Sequence, residues 1–244
     1  MGMTLITEPD PPNLAHKGAA IFTQVAAESV ALRGRFVVAI SGGSTPRPLH
    51  RLLGEEPYMS EIPWNSTHIF WVDERCVSAE DPASNYGAAR ADFLQSVHIP
   101  DKQVHPMPAD LAPEEGAAAY QRELGRFFQA KISEIPVFDL ICLGIGTDGH
   151  TASLFPAQSA LKEKERLIIS VTGGDPHVTR LTMTFPLLNN AREIVFLVSG
   201  KDKAPILKAI LEGPPDRFPA QMIQPLDGSL TWLLDQGAAS LLSL

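Results

Sequence analysis

Cysteine is scarce in this sequence, which has only Cys76 and Cys142 among 244 residues. Two thiols that belong to no Cys-x-x-Cys pair cannot form a disulfide framework, and no spacing of cysteine and histidine suits a metal ion. We therefore expect both cysteines to be small buried side chains. We also expect the protein to hold no metal.

Long apolar stretches and targeting signals are missing as well. No run of about eighteen apolar residues is available to span a bilayer. The first twelve residues, MGMTLITEPDPP, have neither the basic nor the apolar region of a secretory signal. We expect a soluble, cytoplasmic protein that does not bind membranes.

Positive charge is in deficit, since 20 Lys and Arg residues stand against 28 Asp and Glu residues and the net charge is −8. A nucleic-acid-binding protein needs a basic face to neutralise phosphates, so this function is not expected. A small anionic ligand is still compatible with the composition, because a binding site depends on local charge.

Apolar runs and helical patterns alternate along the chain. Buried strands are predicted at 36–40, 68–73, 138–143 and 194–198, with weaker candidates at 167–171 and 181–185. Helices are predicted at 13–33, 46–53, 85–94, 114–132 and 201–212. This alternation predicts an α/β fold with a mostly parallel, Rossmann-like sheet and helices on both faces. Ligands bind beyond the carboxyl ends of the strands in such sheets, so the residues that follow each strand are the candidates for function.

A glycine-rich turn follows the first predicted strand and leads into a helix. Gly43 allows backbone N–H groups to approach an anion closely, and the hydroxyls of Ser44 and Thr45 can donate to it. The final Gly-Lys-Ser/Thr of a P-loop is absent. The turn therefore predicts either a phosphate-binding loop or a tight turn whose Ser or Thr caps the helix.

Charged residues follow two other predicted strands. The guanidinium of Arg75 suits a phosphate, and Asp73 could accept a hydrogen bond from a sugar hydroxyl, unless the two form a surface ion pair. Lys201 and Lys203 begin a helix after the strand at 194–198. A lysine there can reach an anion over the sheet edge or can remain solvated. Arg180 is a further candidate cation. For Ser84 we favour a helix cap.

The segment 144–150, GIGTDGH, matches the Gly-x-Gly-x-x-Gly pattern of dinucleotide-binding folds. Asp148 would face the pyrophosphate in that fold, and no acidic residue ends a strand about twenty residues later, so we reject this interpretation. His150 is instead a candidate general base, since histidine titrates nearest neutrality, and Asp148 can orient its ring. The alternative is a histidine that only completes the turn.

Five segments together resemble the 6-phosphogluconolactonase family: SGGSTP, WVDER, SNY, GIGTDGHTASLFP and SGKDKA. They occur in that family's order, cover the chain from about residue 35 to 212, and include one highly specific motif, at 144–156. The resemblance implies hydrolysis of 6-phospho-D-glucono-1,5-lactone on a sugar-phosphate isomerase-like α/β fold, with no metal or organic cofactor. We expect one catalytic domain over residues 1–244. We also expect a monomer, because no assembly motif is evident.

The resemblance also implies roles for individual residues. His150 would be the general base that activates water, supported by Asp148. The turn residues Gly43, Ser44 and Thr45 would lie beside the substrate. Three cations would surround its phosphate, and these are Arg75, Arg180 and Lys203. Lys203 is preferred to Lys201 because Lys-Ala at the helix start follows the family pattern.

Two other functions are weighed against this one. Glucosamine-6-phosphate deaminases resemble the sequence up to His150 but place a glutamate where Phe155 stands, and a phenylalanine cannot relay a proton. A non-catalytic sugar-phosphate sensor would usually carry a DNA-binding segment, for which the chain has no spare length and an unsuitable charge.

Overall fold

The computed structural model describes residues 2–131 and 134–243. Its centre is a seven-stranded sheet in which every neighbouring pair is parallel. Across the sheet the strands follow the order β1 (Met3–Glu8), β10 (Ser229–Asp235), β9 (Glu193–Val198), β6 (Leu140–Leu143), β2 (Phe36–Ile40), β3 (Thr67–Trp71) and β5 (Val104–His105). The predicted α/β class with a mostly parallel sheet is confirmed.

Eight α-helices flank the sheet within the described residues. They are α1 (Pro11–Arg33), α2 (Pro46–Leu53), α3 (Tyr58–Glu61), α4 (Asn85–Ala89), α5 (Pro113–Phe128), α6 (Phe185–Leu188), α7 (Ala204–Glu212) and α8 (Gln236–Ala239). All five residues of β2 are buried. Because successive side chains of a strand point to opposite faces, this burial requires cover on both sides of the sheet. None of the helices that the structure describes is long and apolar enough to cross a membrane.

Helix boundaries follow local chemistry closely at α1 and less closely elsewhere. The carboxylate of Asp10 caps α1 by accepting from the Asn13 N–H at 2.8 Å, so the helix starts two residues before the predicted position. It ends at Gly34, as predicted, where φ is +74°. The helix predicted at 114–132 runs only to Phe128, and Ile132 lies outside the described residues.

Two other predicted helices are irregular in the structure. After α4 the segment predicted as a helix to residue 94 continues as a π-helical turn over Arg90–Leu94. The helix predicted to begin at residue 201 opens with a 3-10 turn over Lys201–Lys203 and becomes α-helical at Ala204.

A second, three-stranded antiparallel sheet lies beside the first and was not predicted. It has the order β4 (Asp73–Arg75), β8 (Val178–Met183) and β7 (Ile168–Gly173). The two weaker strand predictions, at 167–171 and 181–185, correspond to the hairpin of β7 and β8 in this small sheet and do not extend the parallel one. The second prediction was wrong at its end, because β8 stops at Met183 and Phe185 begins α6. The strand predicted at 68–73 ends at Trp71, and residues 73–75 form a separate short strand because they pair with β8.

Most of the buried apolar side chains form one continuous core around the parallel sheet. Cys142 lies in that core, and burial raises the pKa of its thiol to about 12. Cys76 is only half-buried, so the expectation of burial holds fully for one cysteine.

Candidate active site

An open cleft of about 200 Å³ lies at the carboxyl ends of β2 and β6. These strands are neighbours, yet the chain leaves β2 toward β3 on the other side. Such a reversal of strand order opens a crevice between the two connections. The cleft is lined by Ser41, Gly42, Gly43, Ser44, Thr45, Pro46, Asp73, Arg75, Asn85, Gly144, Ile145, Gly146, His150, Ala152, Arg180 and Lys203. Among the residues predicted for the site, only Asp148 does not line it.

The turn after β2 brings backbone close to the cleft. Gly43 adopts a φ of +100°, which L side chains rarely permit. A Cβ on Gly42 would lie 1.8 Å from Oδ1 of Asn85, so only glycine fits beneath that amide. Thr45 occupies the N-cap position of α2 but makes no side-chain bond to the helix. Its hydroxyl is therefore not used as a cap, contrary to one of the two interpretations of this turn.

Two buried polar atoms at the cleft have no hydrogen-bond partner among the described residues. They are Oγ of Ser41 and Nε of Arg75. Buried donors are almost always paired, and leaving one unpaired costs about 1–3 kcal/mol. Both side chains line the same cleft.

Arg75 and Arg180 bring two positive charges together at the cleft. Arg180 is buried and donates through Nε to the Gly173 carbonyl at 3.1 Å and through Nη2 to the Pro176 carbonyl at 3.2 Å. Arg75 donates to the Ala83 carbonyl. Within the described part of the chain, neither guanidinium forms an ion pair. Burial, together with the Arg75 charge, lowers the pKa of Arg180. The cleft therefore has local positive charge in an acidic protein.

Glu74, which precedes Arg75, has a structural role. Glu74 is buried and accepts from the backbone N–H groups of Asn85 and Tyr86, each at 2.8 Å, so its carboxylate holds the start of α4. Burial raises the pKa of Glu74, although these hydrogen bonds oppose the shift. Ser84 caps the same helix by accepting from the Gly87 N–H at 2.9 Å, as predicted.

Asp73 is held by side chains from distant parts of the chain. Its Oδ2 accepts from the Ser153 hydroxyl at 2.6 Å, and its Oδ1 accepts from the Asn85 amide at 3.3 Å. The same amide donates to the Asp73 carbonyl at 2.8 Å. Sequence reasoning drew little from Asn85 and nothing from Ser153, since only tertiary contact reveals their link to Asp73.

His150 and Asp148 form a close pair at the end of β6. Nδ1 of the imidazole lies 2.6 Å from Oδ1 of Asp148, and the His150 backbone N–H donates to the same oxygen at 3.1 Å. Partial burial opposes ionisation of Asp148, but the His150 charge and these hydrogen bonds outweigh it and lower the pKa of the carboxyl group. Because a carboxylate only accepts, Nδ1 carries the proton and Nε2 is the nitrogen able to accept another.

The glycines of this turn make the pair possible. A Cβ on Gly146 would lie 2.1 Å from Nδ1 of His150, and Gly149 has a φ of +83°. The Gly146 N–H donates to the His150 carbonyl at 2.9 Å, which closes the turn. The Gly-x-Gly-x-x-Gly pattern thus serves to seat the histidine. In the described part of the chain the next helical element is a 3-10 turn at Ser159–Lys162, whereas a dinucleotide-binding fold requires an α-helix directly after its glycine turn.

The two lysines at the start of the helix after β9 differ in their position relative to the cleft. Lys203 lines the cleft, whereas Lys201 is exposed and does not. Lys203 is 20% exposed at its side chain, and its Nζ lies 3.9 Å from an Asp202 oxygen. Elsewhere in the described residues, no three His, Cys, Asp or Glu side chains are grouped so that they could hold a metal ion.

Comparison with known proteins places the chain in a family. Residues 9–232 match the model of the glucosamine-6-phosphate isomerases/6-phosphogluconolactonase family, and the chain belongs to this family. It is 47% identical to a 6-phosphogluconolactonase of Synechocystis over 214 residues, which cover 86% of each protein. It is 40% identical to a 6-phosphogluconolactonase of Rattus norvegicus over 219 residues, covering 87% of this chain and 82% of that one.

Solved structures agree with this assignment. A 6-phosphogluconolactonase from Trypanosoma cruzi superposes with a TM-score of 0.87 at 28% identity and covers 100% of this chain and 98% of its own. A monomeric glucosamine-6-phosphate deaminase superposes with a TM-score of 0.83 at 22% identity, over 98% of this chain and 100% of its own. The second likeness concerns the fold alone.

Proposed function

We propose that this protein is an enzyme that hydrolyses 6-phospho-D-glucono-1,5-lactone to 6-phospho-D-gluconate, a step of the oxidative pentose phosphate pathway. The observation that carries the proposal is the position of His150, which is paired with Asp148, on the same cleft as Arg75 and Arg180. A general base and an anion site must face one cavity to hydrolyse a phosphorylated lactone. The curated relatives named 6-phosphogluconolactonase, at 47% and 40% identity, support the same substrate.

His150 acts as the general base in this mechanism. Its Nε2 removes a proton from a water molecule as the water oxygen attacks the lactone carbonyl carbon. Asp148 holds the ring through Nδ1 and stabilises the imidazolium that forms. When the tetrahedral intermediate collapses, the bond from the carbonyl carbon to the ring oxygen breaks. The imidazolium returns the proton to that oxygen, and the product is an open-chain hydroxy acid.

The cations and the glycine turn bind the rest of the substrate. Arg75, Arg180 and Lys203 hold the phosphate, while Asp73 accepts from a sugar hydroxyl. Gly43, Ser44 and Thr45 border the substrate and can donate to an anion. The Gly146 N–H is already used within its own turn, which leaves N–H groups of the 43–44 turn as candidates to stabilise the tetrahedral oxyanion.

The proposal also concerns the state of the whole protein. Residues 1–244 act as one catalytic domain, without a metal or organic cofactor, and as a monomer in the cytoplasm. The large exposed apolar side chains in the described residues are few and far apart in the sequence: Met3, Leu32, Val137, Leu226 and Leu241. Their small number supports a monomer, because the interfaces of obligate homodimers are large and more hydrophobic. Light scattering and cell fractionation test these two points.

A coupled assay tests the activity directly. Glucose-6-phosphate dehydrogenase generates the lactone, and formation of 6-phosphogluconate is followed with and without this protein. We expect a rate well above spontaneous hydrolysis. Parallel reactions with glucosamine 6-phosphate, assayed for ammonia, test the deaminase alternative. Ammonia release without lactone hydrolysis would overturn the proposal.

A further inference from the structure

Phe155 lies between the two chemical parts of the cleft. Its ring centroid is 4.7 Å from that of the His150 imidazole, with the planes inclined at 53°, and 5.7 Å from Cζ of Arg180. The side chain is buried. Aromatic pairs at this separation and cations over an aromatic face are both attractive contacts. One apolar side chain therefore touches both the proposed base and a proposed phosphate ligand.

Two glycines at the end of β7 border the Phe155 ring. A Cβ on Gly173 would lie 2.8 Å from Cδ2 of Phe155, and a Cβ on Gly174 would lie 3.0 Å from its Cζ. Gly173 also accepts the hydrogen bond from Nε of Arg180. Since Gly173 borders the ring and also anchors the guanidinium, we expect movement of Phe155 to affect Arg180.

The imidazole needs such a support. Its hydrogen bond to Asp148 restrains the ring through Nδ1 only, and the side chain of His150 is 29% exposed. A single bond at one ring atom leaves rotation of the ring plane free. Packing of Phe155 against the ring restricts that rotation and with it the direction of Nε2.

We propose that Phe155 is a positioning residue that sets the orientation of His150 and of Arg180 together, and so fixes the distance between the base and the phosphate site. The inference rests on the proposed function, in which these two side chains act on one substrate. A misplacement of about 1 Å can cost a hundredfold in rate, so the ring affects chemistry without touching the substrate.

Two variants, one of the Phe155 ring and one of a glycine that borders it, test the proposal. Phe155→Leu removes the aromatic face but keeps an apolar side chain. Gly173→Ala keeps the ring but displaces it, because the added methyl group meets Cδ2. We expect each to lower kcat roughly tenfold or more and to raise KM for the phosphorylated lactone. Val171→Ala is the matched control, since Val171 belongs to the same small apolar cluster as Phe155 and does not line the cleft.

The comparison separates positioning from simple stability. Positioning predicts that both variants lose more kcat than Val171→Ala at equal loss of Tm. Equal kinetic losses in all three, or unchanged kinetics in folded Phe155→Leu, would overturn the inference.

A second measurement does not depend on lactone hydrolysis. The increase in Tm caused by inorganic phosphate should shrink in Phe155→Leu and persist in Val171→Ala, because the aromatic contact with the Arg180 guanidinium is lost only in the former. Failure of the wild-type protein to hydrolyse lactone would refute the proposed function, whereas an equal phosphate effect in both variants would refute the role of Phe155.

Discussion

Arg75 and Arg180 stand opposite each other in the antiparallel pairing of β4 with β8. Like charges at directly opposed positions destabilise a sheet, and here Nε of Arg75 is also buried with no hydrogen-bond partner in the described residues. A dianion bound by both guanidiniums would satisfy these donors and cancel the repulsion. We therefore predict that this opposed pair in the small antiparallel sheet binds a phosphate.

Inorganic phosphate should therefore stabilise the protein against heat. A ligand at about one hundred times its Kd adds about 2.7 kcal/mol, which shifts Tm by several degrees. In Arg75→Gln most of this shift should disappear, while the unliganded variant stays within about 1 kcal/mol of wild type because the repulsion from Arg180 is relieved. Thermal scans with and without phosphate measure both effects. A full phosphate shift in the variant would contradict the assignment.

Replacing His150 by Ala should lower kcat roughly 10²- to 10⁴-fold, since this is the usual contribution of a general base. Asp148→Asn should lose less, because the amide keeps part of the contact but cannot stabilise the imidazolium. Phosphate should still raise Tm in both variants. Enzyme-dependent loss of lactone above the spontaneous rate is the measurement, and near-wild-type turnover in His150→Ala would refute the base assignment.

Lys203→Ala should raise KM for the phosphorylated lactone roughly tenfold, the value expected for loss of one hydrogen bond to a charged group. Lys201→Ala is the matched control, because Lys201 has the same charge, lies two residues away and does not line the cleft. Steady-state kinetics of both variants separate a contact with substrate from general attraction of anions. Equal changes in KM would favour the second explanation.

Gly146→Ala should abolish most activity although it adds one methyl group. The new Cβ would lie 2.1 Å from Nδ1 of His150, so the imidazole must leave its place beside Asp148. Gly144→Ala should leave the imidazole in place and lower kcat less, since the nearest protein atom to its Cβ would be the Leu197 carbonyl oxygen at 4.0 Å. Comparing kcat for the two variants tests whether the turn exists to seat the histidine. An active Gly146→Ala enzyme would argue against it.

The free energy of unfolding should decrease as the pH is lowered, and His50 is the cause. Burial lowers the pKa of His50 from 6.5 to about 4, with Asp92 opposing the shift and Arg47 adding to it. The unfolded chain binds a proton below pH 6.5 while the folded protein does not until about pH 4. This contribution is therefore complete above pH 6.5 and lost as the pH falls toward 4, and it amounts to about 3 kcal/mol at most.

Urea unfolding at several pH values measures this effect. The free energy of unfolding of His50→Gln should depend less steeply on pH than that of wild type in the same interval. Taking the difference between the two proteins removes the contributions of other titrating groups. Parallel pH dependences would show that His50 is not the cause.

Strong local sequence patterns were sufficient to predict the position of several helices and strands. The strand at Phe36–Ile40 and the helix at Pro46–Leu53 agree with prediction at both ends, because glycines or a proline bound a continuous pattern. Edge strand β1 was missed because each of its six residues is exposed or half-buried and it has no continuous apolar run. The two-residue strand β5 is too short to leave any periodic pattern.

The sequence by itself determined which chemical groups meet at the site. A parallel sheet brings the carboxyl ends of its strands to one edge, so the glycine turn after β2 and the Asp148–His150 turn after β6 were predictable neighbours. Tertiary structure alone decided three other relationships: Asp73 bonded to Ser153 across 80 residues, Arg75 opposed to Arg180, and Phe155 packed between His150 and Arg180. These depend on strand register and side-chain packing between distant segments, which no local pattern of residues encodes.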